Sequence, residues 1–533
     1  MVSSAPHATP VAEPARASAD TPPRARPWAT ALVLVAVTAV GAAVRLDALG
    51  QSLFGDELST YWIVTTRDLG DTLAFISDRI EITPPLYFVA AWVAAQIDPS
   101  TELVRTPSLL AGVAAIPLVY VLGRRTTGRS AGLVAAALTA LAPFMIFYST
   151  EARAYQLMAV LVVLSTLALL TAVERGGTRW WVAYAACASL AAYAHYTSAF
   201  ALAIQLAWVV SAHPAARRPA LLATAAAVVA YLPWVPSLLD DLDMPDSRIM
   251  SDLSPVTPHT VRLAVEHWSV GYPYVQPGSE LRDLPGIPGL ALQALGLLVA
   301  IAAVAAAAAR RGVRAWAGGA DRRLLLVIVM AIGIPLAELL CTPLGTNMLT
   351  ARNLAVAWPW FALLLATLLL AAGPRLGVVA AGLVIAGFAI GAVKMTQDRF
   401  QRPDFAAAAA IIGRAAGPQD GVIDGAVAFI TPGPLTGLDA TLERPHRVIR
   451  AGASQRRDGN FRVGDPILPA DEVVRRAAAQ GGKVFVVFPQ GPLAGVWDGL
   501  FAELPGGFRR ESSRTLPGFI PLGVQVYAPE SAR

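Results

Sequence analysis

Runs of Ala, Leu and Val, each about 15 to 23 residues long, recur along the chain between short polar stretches. A hydrocarbon core of about 30 Å takes roughly 20 apolar residues to cross as a helix, so the pattern predicts a polytopic membrane protein. The first run, Trp28–Val44, is preceded by a tail over 1–27 rich in Ala, Pro and Ser, which predicts disorder. No small-residue cleavage site follows the run, so it reads as an anchor and not as a cleaved signal. Ten further spans fall near 105–123, 131–149, 154–173, 180–194, 196–212, 219–235, 287–309, 324–342, 353–372 and 376–393. The apolar piece Pro84–Ile97, at 14 residues, is short for a crossing and predicts an interfacial helix.

Charge supports that omission. Without Pro84–Ile97 as a span, the tail and the loops near 124–130, 174–179, 213–218, 310–323 and 373–375 share one side. They carry 16 Arg and four acids, the signature of a cytoplasmic face. The opposite side receives the loops 45–104 and 236–286, the turns at 149–153, 195 and 343–352, and everything after 394. The loop 45–104 alone holds nine acids. The expected topology therefore has a cytoplasmic N-terminus and an extracytoplasmic C-terminal domain, in the plasma membrane.

After Val393 the pattern changes. Residues 402–416 and Asp471–Gln480 read as helices, while Lys483–Pro489 is β-branched and too short to span, so it predicts a buried strand. Gly421–Asp424, Arg447–Ile449 and Val524–Tyr527 are weaker strand candidates. Residues 394–533 thus predict a small α/β domain beside a membrane domain over 28–393.

Composition agrees with this reading. Of 533 residues, 55% are hydrophobic and 15% charged, against roughly 25% charged in a soluble protein. The net charge of +5 comes from arginines gathered in short loops, which argues against a nucleic-acid partner. Cys187 and Cys341 lie in or beside apolar segments with no metal or CxxC spacing, and read as packing residues.

Candidate chemistry collects on the acidic side, at the ends of spans. It comprises Asp56-Glu57, Glu81–Phe88 with its double proline, Arg105–Ser108, Tyr148–Tyr155 with Glu151 and Arg153, His195-Tyr196, and Arg352. Each has a plain structural alternative. Arg105 and Arg352 could snorkel to headgroups, the tyrosines belong to an interfacial belt, His195 could be a structural hydrogen bonder, and Glu151 and Arg153 an ion pair. Together on one face they suit a reaction with an anionic leaving group. An Asp accepts a proton from a nucleophile, and guanidinium groups bind phosphate and the charge that develops on it.

In their order and spacing these elements resemble the GT-C membrane glycosyltransferases. Within them the likeness is to the bacterial family-39 branch, related to protein O-mannosyltransferases and the aminoarabinose transferase of lipid A. The matching elements are Phe54-Gly55-Asp56-Glu57, Thr83-Pro84-Pro85-Leu86-Tyr87, Arg105 to Gly112, Tyr148 to Tyr155, His195-Tyr196 and Arg352, across about residues 28–372. The resemblance implies a GT-C fold of about 11 transmembrane helices with interfacial helices, a polyprenyl-phosphate sugar donor, and inverting transfer at the outer face. It implies Asp56 as catalytic base supported by Glu57, and a donor- and phosphate-binding set of Arg105, Glu151, Arg153, Tyr155, His195, Tyr196 and Arg352. Members often carry His or Lys before the double proline, where this chain has the uncharged Thr83. The C-terminal domain resembles those appended to many actinobacterial-type members, which implies a part in selecting the acceptor.

The expected activity is therefore transfer of a hexose or pentose, mannose-type favoured, to a cell-envelope glycan, lipid or protein. A divalent metal is left open as a cofactor. Two competing expectations are a transporter or flippase for a polar lipid or lipid-linked sugar, with ionisable groups in mid-span and related halves, and a non-catalytic assembly protein.

Overall fold

The computed structural model describes residues 27–78, 81–242, 256–271, 281–311, 321–341, 348–425, 436–442, 449–452, 470–490 and 507–530. The expected tail therefore lies, except for Pro27, outside the described residues, as do parts of the loops 236–286 and 343–352.

Each of the eleven expected spans is helical. They are α1 (Pro27–Asp47), α5 (Thr101–Thr126), α6 and α7 (Arg129–Leu141 and Pro143–Ser149), α8 (Tyr155–Arg175), α9 (Thr178–Ala194), α10 (Ser198–Ala212), α11 (Arg217–Tyr231, continued to Leu242 by α12, Val235–Leu242), α14 (Ile287–Arg311), α15 (Arg322–Cys341), α16 (Trp358–Leu370) and α17 (Leu376–Lys394). Among the described residues, eight helices are long and apolar enough to cross a membrane, nine if α6 and α7 form one broken span. The two that fall short, α9 and α10, have 17 and 15 residues. The run expected as one straight span over 131–149 is bent by 62° between α6 and α7. Pro143 opens α7 and has no N–H to continue the preceding helix.

Three short helices, α2 (Asp56–Thr66), α3 (Leu69–Ser77) and α4 (Leu86–Ala95), separate the first two spans. Helix α4 is the 10-residue core of the piece left out as a crossing, and it packs on α2 and α5 through Tyr87, Phe88 and Ala91. Small residues let the spans approach closely. A Cβ on Gly123 of α5 would sit 2.5 Å from the Cα of Gly132 in α6. Elsewhere large aromatics fill the interior, with Phe144, Trp358, Trp360 and Phe388 all essentially inaccessible.

The two charged faces separate along the helices. At one end, Arg125 and Arg323 share Glu174 at 2.7 and 3.0 Å, and Arg322 donates to the Ala212 carbonyl. Arg105 lies on the same helix as Arg125, 20 residues earlier, or about 30 Å along its axis. All the candidate chemistry lies at that other end.

The C-terminal sheet has the order β2-β1-β3-β5-β4, with β1 (Gly421–Asp424), β2 (Ile449–Gly452), β3 (Val484–Pro489), β4 (Phe508–Leu516) and β5 (Leu522–Pro529). Strands β1, β2 and β3 are parallel and the β4–β5 hairpin adds antiparallel to β3. Helix α18 (Phe405–Ala415) covers one face through Phe405, Ala408 and Ile412. Helix α20 (Ala470–Ala479) covers the other through Val473, Val474 and Ala477. Strand β4 was not expected, because Phe-Arg-Arg-Glu-Ser-Ser-Arg-Thr-Leu has no apolar alternation and seven of its nine residues are exposed. Its charges suit an edge strand that must not pair with another chain.

Candidate active site at the acidic ends of the spans

Gly55 sets the site. It caps α2 with φ 61° and ψ −134°, a backbone region that side chains with a Cβ do not tolerate. Asp56 and Glu57 therefore start a helix, and successive helical residues point about 100° apart. The adjacent carboxylates diverge to different partners.

Glu57 turns inward and is fully buried. Arg105 grips it in bidentate fashion, Nε to Oε1 at 2.7 Å and Nη2 to Oε2 at 2.9 Å. The Ala152 N–H donates to Oε1 at 2.8 Å, and Arg402 makes an ion-pair contact at 3.1 Å. Burial alone would raise the Glu57 carboxyl, but Arg105 and Arg402 outweigh it and hold it below the usual range. Arg105 spends its remaining N–H groups on the carbonyls of Leu49, Gln51 and Ser52. All five of its donors are thus engaged within the protein.

Asp56 turns outward, with 27% of its side chain exposed, and Arg352 donates to its Oδ2 at 2.7 Å. Burial works to raise the Asp56 carboxyl, yet Arg352 and Arg153 together hold it below the ordinary value. Arg153 is buried. It donates to Glu81 Oε1 at 2.9 Å and to Thr83 Oγ1 at 2.7 Å. Thr83 therefore fills the place before the double proline as a hydrogen-bond acceptor for Arg153. Glu81 and Thr83 sat within a motif singled out in the sequence but not in the expected site. Only their pairing with Arg153, 70 or more residues away, reveals their part.

Glu151 is buried, and its Oε2 has no hydrogen-bond partner. Burial, with Glu57 and Asp56 adding to it, pushes the carboxyl up to about 8 against the pull of Arg402 and Arg153, so it holds its proton at neutral pH. Burial and then the Arg153 and Arg352 charges push the His195 imidazole down to about 3, so the ring is neutral. Its Nδ1 lies 2.9 Å from the Thr197 hydroxyl and 3.3 Å from the Thr197 N–H. Tyr155 packs between Tyr148 and His195, with ring centroids 5.0 and 5.3 Å away.

Asp56, Glu151, Arg153, Tyr155, His195 and Arg352 are thus gathered into one electrostatic neighbourhood, with Glu57 beneath it. Tyr196 points elsewhere: its hydroxyl donates to Asp241 and not to this group. Sequence reasoning also missed Arg402, which approaches Glu57 from beyond the last span and donates to the Thr150 carbonyl at 3.0 Å. Near it, Phe519 packs edge-on against Phe54 with centroids 5.0 Å apart. Among the described residues, no group of three or more His, Cys, Asp or Glu is arranged to hold a metal ion.

Residues 83–237 match the family model described as dolichyl-phosphate-mannose-protein mannosyltransferase. The matched segment carries Arg105, Glu151, Arg153, Tyr155, His195 and Tyr196 in the expected order. That segment is less than a third of the chain, and over it the chain is similar to this family. Solved structures similar to this chain include ArnT from Cupriavidus metallidurans bound to undecaprenyl phosphate, at 14% identity and TM-score 0.48, covering 94% of this chain and 98% of that one. The Archaeoglobus fulgidus oligosaccharyltransferase in the apo form is similar at 13% identity and TM-score 0.48, over 87% of this chain and 70% of that one. The arabinofuranosyltransferase AftD from Mycobacteria is similar at 14% identity and TM-score 0.40, covering 96% of this chain but 42% of that one. Among curated proteins no relative matches.

Proposed function

We propose that this chain is a membrane glycosyltransferase that moves a single sugar, mannose-type favoured, from a polyprenyl-phosphate carrier to a cell-envelope acceptor at the outer face of the plasma membrane. The observation that carries the reading is the Asp56–Arg352 pair, two partly accessible opposite charges brought to 2.7 Å from positions 296 residues apart. In this reading Asp56 is the proton acceptor and Arg352, beside it, the cation that binds phosphate. Arg153, already committed to Glu81 and Thr83, contributes field more than contact.

In the proposed reaction an acceptor hydroxyl attacks the anomeric carbon and gives its proton to Asp56. The bond from that carbon to the carrier phosphate breaks, and its electron pair leaves on the phosphate oxygen with inversion. Arg352 holds the phosphate and stabilises the charge it gains. A phosphate that draws Arg352 away from Asp56 also makes the aspartate a stronger base when the donor is bound. Neutral His195 and protonated Glu151 offer hydrogen bonds to the sugar. Glu57, Arg105 and Arg402 form the scaffold beneath.

The test is transfer in proteoliposomes from radiolabelled mannosyl, glucosyl and arabinosyl polyprenyl phosphates to membrane extracts. Asp56→Asn should lower turnover about a hundredfold or more. Near-normal turnover by that variant would overturn the assignment of the base.

A further inference from the structure

Four residues past the end of the matched segment stands Asp241, on the last turn of α12. It is nearly inaccessible. Its Oδ2 accepts from the Tyr196 hydroxyl, while its Oδ1 is buried without a partner among the described residues. The Tyr231 hydroxyl, in electrostatic reach of Asp241, is also buried without a partner. Trp234 donates through its indole N–H to the Tyr196 hydroxyl at 3.2 Å, and Tyr193 packs on Tyr231 with centroids 4.9 Å apart. Asp241 also feels the charge of Glu81, the partner of Arg153. Tyr193, Tyr196, Tyr231 and Trp234 pack in one cluster with Ala152 and Ala154, which flank Arg153, so the group borders the Asp56 site.

A buried acceptor and a buried donor left unsatisfied together are costly unless something completes them. Phosphate does not fit, because Asp241 and Glu81 would both repel it. An ammonium could donate to Asp241 but could not accept from Tyr231. A hydroxyl does both, and partly accessible aromatic rings suit the C–H faces of a sugar. We propose that Asp241 and Tyr231, backed by Tyr196 and Trp234, form a subsite for sugar hydroxyls beside the reacting centre. The inference rests on the glycosyl-transfer reading for its role, but its binding chemistry stands apart from it.

Two sources share this chemistry, the donor's sugar and a glycan acceptor, and the experiment separates them. Saturation-transfer NMR on the purified full chain would use methyl mannoside, glucoside and arabinoside as probes. Wild type should show contact that Tyr231→Phe and Asp241→Asn lose. Tyr231→Phe removes a hydroxyl with no protein partner, so its fold should be intact. Equal contact in wild type and Tyr231→Phe overturns the subsite, whether or not the protein turns over any donor. In kinetics, both variants should raise the same KM, Asp241→Asn about tenfold or more, the size expected for losing a hydrogen bond to a charged group, and Tyr231→Phe about threefold or more. The donor KM in acceptor-free hydrolysis rises if the donor sugar sits there, and the acceptor KM in transfer rises if the acceptor does. Inhibition by bare polyprenyl phosphate should not change, and a parallel loss there would mark a purely structural cluster and overturn the proposal.

Discussion

Adjacent carboxylates need not share a chemistry, and Asp56 and Glu57 divide theirs by which way the first turn of α2 points them. Because Arg352 depresses Asp56, Arg352→Gln should move the acid limb of kcat/KM, which reports the free enzyme, to higher pH. An unmoved limb would separate Asp56 from the titration. Glu151 gives the opposite sign. Its proton is held in the folded protein up to about pH 8, but an unfolded glutamate releases it near 4.3. Between those values the folded state binds more protons, so stability falls as pH rises through the window. Glu151→Gln should flatten that part of a melting-temperature profile in detergent. Of these residues, Asp56 and Arg352 could be singled out from sequence because both fall at span ends on the acidic side, within an ordered set of motifs. Glu57's burial, Arg105's saturation and Tyr196's turn toward Asp241 could not, since side-chain direction depends on neighbours dozens to hundreds of positions away.

At the scale of elements, the apolar runs marked the helices well because lipid forces the backbone into them. They marked the ends poorly. A period of 3.6 does not show that Pro143 will break a run into α6 and α7, nor that a polar strand such as β4 will pair at a sheet edge. Gly55 is the element-level hinge of the site. Gly55→Ala must either strain the cap, at about 1–3 kcal/mol, or relax it and turn Asp56 away from Arg352. The expected result is a folded protein with turnover reduced at least tenfold, measured beside an unchanged helical circular-dichroism spectrum. Full activity in that variant would show the cap to be adaptable.

For the molecule as a whole, the separation of arginine loops from acidic ends was legible, because sidedness is written in charge along the chain. The transporter alternative calls for ionisable groups in mid-span, but the one acid within α15, Glu338, lies in its last turn and not at its centre. What the chain did not announce was that its two halves meet at the site. Arg402 reaches back to Glu57 and Thr150, and Phe519 to Phe54, so both ends of the Phe54–Glu57 motif touch residues that follow the last span.

That clasp bears on how such a chain can change over evolutionary time. A recombination joint placed at the end of α17 would bring in a foreign sheet together with a foreign residue at 402, leaving a buried carboxylate to find a new counter-ion. Viable exchanges should instead carry Arg402 and a ring at 519 along with the motif they brace. The inherited module is then longer than the membrane-spanning helices, and the sheet and the motif it braces would be passed on as one piece.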